Sequence, residues 1–242
     1  MYLSVNMSYK IIMLNIGTCV NYFCSSNLLD DMNPTSKPIS VTFCILGNNY
    51  SPGFFLSWTK FLFYLKENPN LITPHFSNNF DEDTCAMKNN ILGGSSSKGS
   101  HQTPFEDDFD CDLVFWINCE MIFEPVQILQ IVYKMAKRDL EILTGVYFKN
   151  KNLNLIENDE NLSFFTKEKL IEKAMQDEDR VCEVDNTYLD FVCIKNQLYK
   201  HIKYPWFEKS DLHEDLAFFR KLKENKSIIY CDATIFVNRD KK

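Results

Sequence analysis

The chain has 242 residues, enough for one α/β domain with excursions and a sizeable buried core. Its 26 Lys and Arg against 33 Asp and Glu leave a formal charge of −7, which argues against the basic surface that polynucleotide binding demands. With 45% hydrophobic and 24% charged residues, the composition is that of an ordinary soluble protein.

Nine cysteines (Cys19, Cys24, Cys44, Cys85, Cys111, Cys119, Cys182, Cys193, Cys231) are scattered without Cys-x-x-Cys spacing, and several lie in apolar runs. They read as buried thiols in a reducing, cytoplasmic compartment. The four histidines, His75, His101, His201 and His213, are not paired with them as a structural zinc site requires.

In chain order, the stretch 11–24 after Lys10 invites the reading of an N-terminal membrane anchor. Asn15, Gly17, Thr18, Asn21 and Tyr22 interrupt it well short of the apolar length needed to span a bilayer, so no transmembrane segment is expected. Residues 1–38 are taken as an N-terminal extension that ends in a polar linker. The apolar run Ile39–Leu46 predicts a strand that stops at Gly47-Asn48-Asn49. Phe54, Phe55, Trp58, Phe61, Leu62 and Leu65 then predict one buried helix face.

Residues 71–76 predict a second strand and residues 86–92 a helix closed by Gly93-Gly94. A long loop follows. A central strand is expected over 112–117, then a helix opened by Pro125 with Ile128, Leu129, Val132, Met135 and Ala136 inward, then a strand over 141–148. Residues 149–183 are polar and read as a variable excursion with one helix near 166–175. Beyond it come a strand at 189–195, a turn at Tyr204-Pro205-Trp206, a helix at 214–223 and a last strand at 227–231. This alternation implies a mostly parallel sheet with helices on both faces, in which ligands bind beyond the carboxyl ends of the strands.

The triplet at the end of the central strand is the most informative of several motifs. Trp116-Ile117 runs into the triplet Asn118-Cys119-Glu120; Gly47-Asn48 with Trp58, Leu92-Gly93-Gly94 through Gly99, Gln102, Pro104 and Phe105, Tyr204-Pro205-Trp206-Phe207 and His213-Glu214-Asp215 follow in fixed order. Taken together, residues 39–242 resemble the family-two-like glycosyltransferases of the GT-A fold, a Rossmann-like single domain, and above all a group frequent in large DNA viruses and environmental sequences.

The resemblance implies an inverting transfer of a sugar from a nucleotide-diphosphate donor to a hydroxyl on a glycan, protein or lipid. Asp215, with Glu214 beside it, is matched to the base that takes the acceptor proton. The family's aspartate-x-aspartate metal motif is degenerate: Asn118 offers a neutral ligand and Glu120 a longer carboxylate, so binding of a divalent Mn or Mg is expected to be weakened or lost. Where relatives close the metal site with a histidine, this chain has Arg239, a group able to neutralise a phosphate by itself. Gly47, Asn48, Lys88, Gly93, Gly94, Trp116, Asn118 and Arg239 are thereby placed at the nucleotide sugar. Tyr188 and Asp190, where relatives have glycines, and Trp206 are placed at the acceptor.

Plainer readings stand beside these. The triplet reads equally as a solvent-facing strand end, Glu214 and Asp215 as first-turn helix carboxylates, and Trp58 and Trp206 as packing residues. The alternative function is a catalytically inactive GT-A protein that binds a glycan, a nucleotide or a protein, and a third is a structural subunit.

Overall fold

The computed structural model describes residues 38–106, 109 and 111–240. Residues 1–37 of the expected N-terminal extension lie outside the described residues.

The order of elements is β1 (Ile39–Leu46), α1 (Pro52–Glu67), β2 (Ile72–Asn78), α2 (Thr84–Ile91), β3 (Leu113–Asn118), β4 (Met121–Ile122), α3 (Pro125–Lys137) and β5 (Ile142–Val146). Two small hairpins, β6 (Phe148–Lys149) with β7 (Asn152–Leu153) and β8 (Ile156–Asn158) with β9 (Ser163–Phe164), precede α4 (Lys167–Ala174). β10 (Val181–Val184), β11 (Phe191–Lys195), α5 (Glu214–Glu224), β12 (Ile229–Phe236) and β13 (Asn238–Arg239) complete the chain.

Seven strands form the main sheet in the order β10-β12-β5-β11-β3-β1-β2. β1, β2, β3, β5 and β12 run in one sense, while β11 is antiparallel to both β3 and β5, and β10 to β12. The mostly parallel sheet read from the sequence is thus a mixed one with two reversed strands. Alternating side chains divide the core into two layers. Phe43, Phe115 and Leu143 meet α1 and α3 on one face; Cys44, Trp116 and Ile194 meet α2, α4 and α5 on the other.

Local chemistry sets the helix starts. Ser51 Oγ accepts the Phe54 N–H at 3.1 Å and Pro52 opens α1; Glu124 and Gln127 form a reciprocal capping box before Pro125; Asp83 caps α2. In α1 only part of the expected face is buried. Phe54, Phe61 and Leu65 lie inward, whereas Phe55 and Leu62, roughly 100° around the helix from that line, point out. Ala136 of α3 is likewise exposed. The last strand runs five residues further than expected, to Phe236, and delivers β13 to pair with β4 beside the triplet.

Candidate functional site

The carboxyl ends of β1, β3, β5 and β12 lie at one edge of the sheet, and the reversal of β11 brings its amino end to the same edge. Asp190 immediately precedes β11 and therefore meets Asn118, which ends β3. The Asn118 N–H donates to the Asp190 carbonyl at 2.8 Å, and Asn118 Nδ2 to Asp190 Oδ1 at 3.0 Å. Asn118 Oδ1 in turn accepts the Glu120 N–H at 3.0 Å. The middle residue, Cys119, is buried and donates its thiol to the Asn49 carbonyl at 3.2 Å. Gly47 is required beside it. Its φ is +105°, and a Cβ there would lie 2.5 Å from Cys119 Sγ.

Arg239, carried in on β13, lies between two carboxylates. Its Nε and Nη2 donate to Glu120 Oε2 at 2.9 and 2.8 Å, and Nη1 reaches Asp190 Oδ2 at 3.4 Å. Lys149 Nζ and the Tyr147 hydroxyl donate to the same Asp190 oxygen at 3.0 and 3.2 Å. Although burial opposes it, the Lys149 and Arg239 charges hold Asp190 below the usual carboxylate range. Arg239 is shifted up: burial works against its charge, and Asp190 and Glu120 outweigh that. The strap continues one residue further, where Asp240 donates its N–H to the Glu120 carbonyl at 2.8 Å and accepts the Gly53 N–H, at the start of α1, at 3.1 Å.

A second cluster lies at the amino end of α5. Lys88, almost fully buried on α2, is ion-paired to Asp215 Oδ1 and, at 2.9 Å, to Glu214 Oε1. Asp215 is 2% exposed, and its Oδ2 accepts the Leu189 N–H at 3.2 Å. Burial would raise Glu214, but the neighbouring Lys88 ammonium dominates and brings it down to about 2. The same carboxylates raise Lys88 against the effect of burial. Ligand atoms of His213, Glu214 and Asp215 lie within 4.8 Å of one another, yet both carboxylates already hold Lys88.

Tyr188 joins the clusters. Lys149 Nζ stands 3.9 Å from its ring centroid, His213 packs edge-on against it, and both Asp215 and Asp190 add to the burial that raises its phenol. A buried amide, Asn154, fixes this segment by donating to the Gly145 carbonyl and to Thr187 Oγ1, while Asn186 ties it to the Leu216 carbonyl in α5.

The structure thus brings together Asn118, Glu120, Tyr188, Asp190, Arg239, Lys88, Glu214 and Asp215, and adds Tyr147 and Lys149, which sequence reasoning missed. Lys149 had a signal, since it directly follows the strand expected over 141–148; in the structure it ends the short strand β6. Other expectations need correction. Trp116 is fully buried, with Nε1 bonded to the Tyr199 hydroxyl at 2.8 Å, so it packs the core and does not face a nucleotide. Trp206 is also fully buried, against Tyr199 and Tyr204, and forms no acceptor platform. Asp190, expected at the acceptor, is buried and turned to Asn118, Lys149 and Arg239. Gly94 serves close packing, since a Cβ would meet Tyr204, the Asn89 carbonyl and Trp206; Gly93 takes a φ of +74° at the end of α2, and Asn48 is exposed in the loop after β1.

Among the described residues, no helix is long and apolar enough to cross a membrane. No family model matches the chain, and no curated protein matches it by sequence. Solved structures do match by shape. The crystal structure of A197 from STIV, a viral protein, superposes with a TM-score of 0.56 at 14% identity, over 84% of this chain and 86% of that one. The crystal structure of GalNAc-T7 with UDP, GalNAc and Mn2+ does so with a TM-score of 0.50 at 7% identity, over 86% of this chain and 45% of that one. The chain has an α/β fold, a seven-strand mixed sheet with flanking helices, similar to that of a GT-A glycosyltransferase.

Proposed function

We propose that the chain binds a nucleotide-diphosphate sugar and transfers the sugar to a hydroxyl acceptor without a bound metal ion. The observation that carries this reading is the position of Arg239, ion-paired to Glu120 and Asp190 at the carboxyl edge of a GT-A-like sheet. A divalent cation does not fit this donor set. Glu120 Oε2 already takes two N–H bonds from Arg239, the Asn118 amide is bonded at both ends, and Asp190 already faces both Lys149 and Arg239. An incoming cation would have to displace Arg239 and meet Lys149.

Arg239 keeps 28% of its side chain exposed and carries five N–H donors, so it can bond a phosphate while held by Glu120. In the transfer, the acceptor oxygen attacks the anomeric carbon as its proton passes to Asp215. The bond from that carbon to the diphosphate breaks, and the diphosphate leaves with the electron pair toward Arg239. The relative crystallised with UDP and GalNAc makes UDP-N-acetylgalactosamine a sensible first donor, with GDP- and CMP-sugars beside it.

One observation favours a second reading, a binding module without turnover. Asp215 is 2% exposed and each oxygen is engaged, one by Lys88 and one by Leu189, so an acceptor must compete for it. Release of free nucleotide from a donor panel, measured in chelator with a mixture of glycan acceptors, separates the two: release that Asp215→Asn abolishes supports transfer, and binding without release supports the module.

A further inference from the structure

β10 and β12 are antiparallel partners in which Cys182 stands directly opposite Cys231. Both side chains are buried in the same apolar layer, with Val184, Ile229 and Leu170, so they point to the same face of the sheet. Directly opposed residues of an antiparallel pair have Cα atoms about 4.5–5.5 Å apart, which lies within the ~4.4–6.8 Å that a disulfide spans without backbone movement. Cys231 and, to a lesser extent, Lys173 hold Cys182 below the usual thiol range, while burial and Cys182 push Cys231 up. Among the described residues β10 is an edge strand, the part of a sheet that opens most readily.

We propose that Cys182 and Cys231 form a reversible cross-strand disulfide site. The oxidant is a small-molecule disulfide such as oxidised glutathione. Cys182 thiolate attacks one of its sulfurs and expels a thiolate; Cys231 then loses its proton and attacks Cys182 Sγ of the mixed disulfide, expelling the second. Two thiols of the protein are oxidised and one disulfide gives two thiols. The bond staples the edge strand, and with it the end of the polar excursion, to the strand whose far end carries Arg239 to the site.

The test uses the full chain with oxidised glutathione, followed by alkylation in denaturant, digestion and mass spectrometry. The expected result is a peptide linked through Cys182 and Cys231, absent after reduction and absent in Cys182→Ser, together with a higher melting temperature for the oxidised protein because a loop of about 50 residues is closed. Recovery of both cysteines as alkylated thiols after prolonged oxidation, or a bond mapped to other cysteines, overturns it. Parallel mapping of Cys231→Ser guards against a variant that fails to fold.

Discussion

Replacing Arg239 with alanine leaves Glu120 without its guanidinium partner and leaves Asp190 with Lys149 as its remaining cation. Breaking a fully buried ion pair costs about 3–5 kcal/mol because the abandoned charge is left in a poorly solvated place. Glu120 is 15% exposed and Arg239 28%, so water screens part of that cost, and about 2 kcal/mol remains. For a domain of about 200 residues this lowers the melting temperature by roughly 4–8 °C. The pH dependence has a fixed sign. Asp190 is depressed by Lys149 and Arg239, so its contribution is complete above the unfolded value of about 4 and is lost as pH falls through the lower folded value. The gap between parent and variant is therefore widest near neutrality and closes in acid. Urea melts followed by circular dichroism at several pH values measure it. A variant within about 0.5 kcal/mol of the parent at every pH would refute the claim that Arg239 is locked between two carboxylates.

Asp215→Asn should reduce sugar transfer by at least about 100-fold while donor affinity changes less than about twofold, as separate turnover and titration assays would show. Glu214 falls from 4.5 to about 2 on folding, so its stabilising effect is present above its ordinary value and disappears as pH drops through about 2; Glu214→Gln should flatten that acid limb in melts taken across the range. Gly47→Ala puts a Cβ onto Cys119 Sγ at a left-handed φ and should destabilise by about 1–3 kcal/mol. The double variant with Cys119→Ala should recover the steric part and keep the backbone part, and a double-mutant cycle without coupling would contradict the contact.

Most of the architecture was legible because β1, β3 and β11 are largely apolar runs, α1 carries a line of aromatic and aliphatic residues, and Pro125 opens α3. What stayed hidden was strand direction. Periodicity tells which side chains are buried but not which way β10 and β11 run, and it is the reversal of β11 that sets Asp190 against Asn118 and Arg239. β10 was missed because four residues, Val181–Val184, sit inside a polar stretch, and the β4–β13 pair because two-residue strands have no period. At the candidate site, likeness of order singled out Glu120, Asp215 and Arg239, and the structure gives each an ion pair there. Tyr147 and Lys149 meet at one carboxylate, Asp190, only because the chain turns between β5 and β6, which no pattern of residues marks. Trp116 and Trp206 were misplaced because a motif position says nothing of which face a ring packs on.

Donor binding with Arg239 in the metal's place is read out by melting the full chain with UDP-, GDP- and CMP-sugars in chelator and again with manganese. At least one donor should raise the melting temperature in chelator, manganese should add nothing, and Arg239→Ala should remove the shift. Stabilisation that appears with manganese alone, or none with any donor, would contradict it.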